Sequence, residues 1–90
     1  MDDPRLKRLS YRAWRRGFRE ADLILGPFAD AHLAILSPEQ LDAFETLLEE
    51  ADQDIYDWIK GAEAPAAFDG EILAMIRAFR PNPASEGRGA

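Results

Sequence analysis

Two clusters in this chain have residue types and spacing suited to chemistry at a surface. They are Arg16-Gly17-Phe18-Arg19-Glu20 with Asp22, and Asp52-Gln53-Asp54-Ile55-Tyr56-Asp57-Trp58-Ile59. The chemistry they offer is recognition. A guanidinium and a carboxylate make paired, charge-assisted hydrogen bonds, and a glycine between them lets another backbone come close. The bland reading of the first cluster is a helix C-cap glycine followed by a surface pair between Arg16 and Glu20, worth about 0.3–0.5 kcal/mol. That reading accounts for Gly17 but not for the crowd of arginines, Arg15 and Arg19 among them. The bland reading of the second cluster is a helix N-terminus with favourable acids and a Trp58 anchor in the core, since Ile55, Trp58 and Ile59 share one face.

Bond-making chemistry has less support. There is no cysteine, and the single histidine, His32, sits among Ala31, Leu33 and Ala34 without a nucleophile beside it. A surface or partly buried polar role is the expectation for it. Glu39, Asp42, Glu45 and Glu49 recur on what should be a solvated helix face, where nothing tunes a carboxylate for acid–base work. The six glycines are scattered and form no phosphate-binding loop. We therefore expect no catalytic residue, no metal site and no tightly bound cofactor.

The elements that must carry these clusters read as helices. Pro4 behind Asp3 opens the first, with Leu6, Leu9 and Ala13 at helical spacing. Gly17 interrupts the pattern. A second helix is predicted from about Phe18 to Leu25, kinked or briefly broken at Gly26-Pro27 and continuing to about Leu36. Ser37-Pro38-Glu39-Gln40 carries an N-cap, a proline at the first helical position and a glutamine placed to close a capping box. In the helix it opens, Leu41, Phe44, Leu47, Leu48 and Ala51 mark the buried face. A short fourth helix follows Asp52 and stops at Gly61, and residues 62–68 form a linker. The last helix is predicted from Asp69 or Gly70 to Arg80, burying Ile72, Met75, Ile76 and Phe79. No stretch has strand character: there is no valine, and Thr46 is the only threonine. The expected architecture is all-α, a single bundle of about five helices with short connections over residues 1–81 and a disordered tail over 82–90.

Charge is distributed unevenly around the net value of −6. The first 20 residues hold seven basic side chains against three acidic ones, whereas the remainder holds four against fourteen. A basic patch on an acidic body favours a protein partner over nucleic acid, because the body repels phosphate. No apolar run approaches the roughly 20 residues of a membrane-spanning helix. The acidic start, Met1-Asp2-Asp3-Pro4, reads as the native start of a cytoplasmic protein.

Taken together, the two clusters carry a resemblance. Arg16-Gly17-x-x-Glu20 with Asp22, Leu23-Ile24-Leu25 ahead of Phe28, a Ser-x-x-Gln-opened helix with Leu47-Leu48-Glu49, and Asp52-x-Asp54-Ile55-Tyr56-x-Trp58 follow in an order that resembles the succinate dehydrogenase flavinylation factor family. The resemblance spans about residues 5–60. It implies a small helical assembly factor, not an enzyme, that binds the flavoprotein subunit of succinate dehydrogenase, and in bacteria also of fumarate reductase, and promotes covalent attachment of FAD to a histidine of that client. The FAD is then carried by the client.

By the same resemblance the partner-binding surface would comprise Arg15, Arg16, Gly17, Phe18, Arg19, Glu20 and Asp22. Asp52, Asp54 and Tyr56 are candidates for a second contact. Phe18 and Ala21 stand where long aliphatic residues are frequent in the family. A monomer docking one client is the simplest expectation. The rival readings are a nucleic-acid-binding or antitoxin-like regulatory module built on the Arg-rich first helix, and a scaffold for some other helical partner.

Overall fold

The computed structural model describes residues 3–79, and within them the chain is all-α, with five helices and no strand. The expected tail over 82–90 lies outside the described residues, and the last helix, predicted to reach Arg80, ends at Ala78 with Phe79 already extended two positions ahead of Pro81. Helix α1 spans Pro4–Trp14 and α2 spans Arg19–His32, followed by a 3-10 turn over Leu33–Ile35. Helices α3 (Pro38–Leu47), α4 (Asp52–Ile59) and α5 (Glu71–Ala78) complete the bundle.

The helix ends follow local chemistry. Asp3 caps α1 by accepting from the Arg5 N–H at 2.8 Å, with Pro4 in the first turn. At α3 both halves of the capping box form: Ser37 Oγ accepts from the Gln40 N–H at 3.1 Å, and Gln40 Oε1 accepts from the Ser37 N–H at 2.9 Å. The Ser37→Ala substitution removes one half and is expected to lower stability by about 1 kcal/mol, or roughly 4–8 °C in a thermal melt. An unchanged melt would mean that Pro38 and Gln40 hold the end without the hydroxyl. Helix α4 stops at Gly61, whose φ of +118° only glycine adopts readily. The Gly61 N–H donates to the Trp58 carbonyl and the Ala62 N–H to the Asp57 carbonyl, which is the Schellman arrangement. Arg77 reaches back from α5 to donate to the carbonyls of Trp58 and Ala62 at 2.8 and 2.9 Å.

Apolar burial then holds the helices together. Leu9 and Ala13 of α1 pack on Ala21, Leu25, Phe28 and Ala29 of α2, and the rest of the core comes from Phe44, Leu47, Leu48, Ile55, Trp58, Ile72, Leu73 and Ile76. Phe28 is its centre, stacked on His32 at 4.4 Å and 5.7 Å from both Phe44 and Phe79. His32 is thus a half-buried ring in an aromatic cluster.

Three expectations need correction. Helix α2 runs unbroken through Pro27, since proline deletes only one ladder bond and packing on both sides keeps the helix continuous. Ala51 is exposed, because the chain leaves the α3 axis after Leu47 and Ala51 becomes the N-cap of α4. Leu73 is buried although the periodicity named Met75 and Phe79, which are only partly covered.

Candidate partner-binding site

The chain between α1 and α2 is only Arg15 to Phe18, and its conformation depends on Gly17, with φ at +89°. A side chain there would be strained, although a Cβ would meet nothing within 4 Å. Gly17 is therefore required by the backbone and at the same time stands in open space. Phe18 is the N-cap of α2 but supplies no capping group. Glu20 and Asp22 place acids in the first turn instead, and Asp22 Oδ1 accepts from the Arg16 N–H at 3.0 Å, fixing the loop.

The Arg16 side chain points inward. It is 9% exposed, and it donates from Nε to Asp52 Oδ1, from Nη1 to the Leu48 carbonyl at 2.7 Å and from Nη2 to the Glu50 carbonyl at 2.7 Å. Those carbonyls belong to the chain leaving α3, and Asp52 opens α4. The guanidinium thus sits where a helix C-terminus favours a cation, beside the acid that favours the next N-terminus. The expected surface pair between Arg16 and Glu20 does not form, because a loop with a left-handed glycine separates them and their side chains point apart.

The two sequence clusters form one site. Arg16 ties the loop to Asp52, and the Phe18 ring lies against Tyr56, with centroids 5.2 Å apart. Lys60 Nζ covers the Tyr56 ring at 4.5 Å. Asp54 is exposed in the first turn of α4 and makes no hydrogen bond or ion pair with the loop. What the loop presents outward is Gly17 with Arg15, Arg19 and Glu20, all exposed. Neither Arg19 nor Glu20 makes an ion pair among the described residues.

Other contacts around the site have weaker signals in the sequence. Trp14 lies on Gly26, where a Cβ would come within 2.2–2.6 Å of the indole ring. Its Nε1 donates to Asp30 Oδ2 at 3.1 Å, and Ser10 donates to the other oxygen of the same carboxylate. A glycine inside a helix was the available sign, since it costs about 1 kcal/mol there without a reason in packing. Arg5 crosses to Asp42 and Glu45 at 2.7 and 2.8 Å, and Arg12 reaches Glu45 at 3.9 Å. The hydrogen bonds to Asp42 and then Glu45 raise the Arg5 guanidinium pKa above its ordinary value. Much of the basic first helix is therefore matched within the molecule.

Among the described residues no helix is long and apolar enough to cross a membrane. Comparison with known proteins places the chain more sharply. Residues 7–80 match the family model described as flavinator of succinate dehydrogenase. The chain is 40% identical over 72 residues to succinate dehydrogenase assembly factor 2, mitochondrial, of Dictyostelium discoideum, covering 79% of this chain and 51% of that protein. Proteins of the same name from Candida glabrata and Meyerozyma guilliermondii are 38% identical over 85 residues and 51% identical over 75. Those alignments cover 89% and 78% of this chain and 56% of each relative. The chain thus spans about half the length of the curated relatives it matches.

These relatives are designated mitochondrial, which overturns the cytoplasmic expectation. That expectation stood on the charge of four residues, and such a charge does not report a compartment. The match over residues 7–80 takes in both clusters and all the helices but the first turn of α1, and the chain belongs to the family of flavinators of succinate dehydrogenase.

Proposed function

We propose that this chain is an assembly factor that binds the flavoprotein subunit of succinate dehydrogenase and promotes covalent attachment of FAD to it. The relatives described above carry succinate dehydrogenase assembly in their names. The observation that carries the reading is the Arg15–Glu20 loop: it is held to the body by the buried Arg16, and it shows solvent an unobstructed glycine flanked by Arg15, Arg19 and Glu20. An exposed loop whose charges are unmatched within the molecule is suited to electrostatic complementarity with a partner.

Joining a histidine to the flavin needs the imidazole held at attack distance and the developing charge stabilised. The client supplies the reacting groups and carries the FAD. The factor favours the client's competent arrangement by binding it better than the others. No catalytic residue in this chain is needed for that role.

The test is covalent flavin in the flavoprotein subunit, read as fluorescence in a denaturing gel, with the gene present, deleted, or restored as wild type, Gly17→Arg or Glu20→Ala. Deletion should remove most of the signal, and wild type should restore it. Glu20→Ala should restore it poorly while melting within about 2 °C of wild type, since exposed substitutions rarely change stability by more than about 0.5 kcal/mol. The left-handed φ at Gly17 adds roughly 1–2 kcal/mol of strain to any replacement, so Gly17→Arg is read beside Gly17→Ala, which carries similar strain without the bulk. Loss with arginine and rescue with alanine identify a partner's close approach. Equal loss in both assigns Gly17 to the fold alone, and full covalent flavin after deletion removes the reading altogether.

A further inference from the structure

The basic side chains of the first 20 residues divide into two sets. Arg5, Arg12 and Arg16 turn to acids and carbonyls of the α3–α4 region. Lys7, Arg8, Arg15 and Arg19 are exposed and make no ion pair among the described residues. At about 100° per residue, Trp14, Lys7, Tyr11 and Arg8 follow one another across an arc of α1 spanning about 120°, and Arg15 is the first residue past the end of the helix. Leu9 and Ala13, which are buried, lie on the opposite side.

This face has both charge and apolar surface. Tyr11 is 62% exposed and Trp14 37%, two of the four large hydrophobic side chains named as exposed among the described residues. The Arg15 guanidinium lies over the Tyr11 ring at 5.0 Å, while Asp30 and Gly26 fix the Trp14 indole. Tyr11 and Arg15 form a ridge between two open grooves. One runs along Lys7, Ser10 and Trp14, and the other along Arg12, Arg16 and Asp52.

We infer that this ridge of α1 is a docking surface for an acidic patch of the flavoprotein client, an inference that rests on the function proposed above. Charge complementarity selects the occupant. The chain carries a net charge of −6, so an acidic protein surface is attracted only where cations are left unmatched. A nucleic acid, whose phosphates run on beyond the ridge, would meet the acidic remainder of the molecule. Tyrosine, tryptophan and arginine side by side are also the residue types that carry interface energy once water is excluded. The ridge extends the outward surface of the Arg-Gly-x-x-Glu loop along α1, from Arg15 back through Tyr11 to Arg8 and Lys7.

The experiment is binding of the full chain to the purified flavoprotein subunit, measured at low and at physiological salt. Arg8→Gln is expected to weaken binding three- to tenfold at low salt, mainly through slower association, and to flatten the salt dependence. Ala74→Glu makes the same change in net charge on the exposed side of α5 and should leave affinity within twofold. Tyr11→Ala should weaken binding at least tenfold, through faster dissociation. All three positions are exposed, and the variants should melt within about 2 °C of wild type.

Binding by wild type with Arg8→Gln and Tyr11→Ala unchanged overturns the ridge and leaves the proposed function standing. No binding by wild type removes the flavoprotein reading, and the ridge proposal falls with it. Salt-sensitive retention of the chain on duplex DNA, lost in Arg8→Gln, would assign the face to nucleic acid and overturn the proposal by that route.

Discussion

The Arg16→Ala substitution lowers stability by about 3 kcal/mol, which in a domain of this size takes roughly 15 °C off the melting temperature. The magnitude follows from what is left behind. The guanidinium is 9% exposed and satisfies two main-chain carbonyls and the Asp52 carboxylate. Removing it leaves a partly buried anion and two acceptors at a helix end without their donor. Asp52 is 30% exposed and recovers some solvation, which keeps the loss below that of a fully buried pair. Arg16→Lys keeps the charge but offers no planar fork to three acceptors, and about half the loss should remain. Arg19→Ala, three positions along and exposed, should stay within about 0.5 kcal/mol. A melt for Arg16→Ala within about 3 °C of wild type would show that the buried fork contributes nothing net.

Gly26→Ala sets two effects against each other, and their sizes decide the sign. Alanine in place of a helical glycine gains about 1 kcal/mol. The added methyl, however, would sit 2.2–2.6 Å from atoms of the Trp14 ring, nearer than any contact tolerates. The indole must swing out, losing its stacking on the helix and its hydrogen bond to Asp30, which together are worth about 2–4 kcal/mol. A net loss of about 1–3 kcal/mol is expected, with the tryptophan emission shifted to the red. In a Trp14→Ala background the clash is absent, and the same Gly26→Ala change should turn stabilising by up to about 1 kcal/mol. The sign reversal is the diagnostic result, and a loss of equal size in both backgrounds would refute the seat.

How much of this was legible in the sequence depended on how far apart the partners lie. The α3 capping box and the Gly61 stop are settled by groups three to five residues apart, and both stand as read. The class of the fold follows from the missing strand formers and the helical period. By contrast, Gly26-Pro27 looks locally like a break, and only Trp14, 12 positions earlier, explains the glycine. Arg16 meets acceptors 32, 34 and 36 residues away, two of them main-chain carbonyls that have no side-chain signature. The crowd of arginines is plain in the sequence, yet which ones turn inward depends on how α3 and α4 lie against the first helix. Of the seven residues assigned to the partner surface, Arg16 and Asp22 bond within the molecule, Phe18 is half-covered by Tyr56, and Arg15, Gly17, Arg19 and Glu20 face solvent.

The inward Arg16 also bears on the thermodynamics of association. A four-residue connection free in solution would lose about 1–2 kcal/mol of backbone entropy per residue on being frozen against a client. Here that ordering is completed during folding, by donors aimed at the chain's own carbonyls, so on the proposed function a client would meet a loop already ordered. On the proposed function the arginine at the head of the motif would strengthen binding from inside the molecule, and its effect would register as a smaller entropic penalty, not as a lost contact.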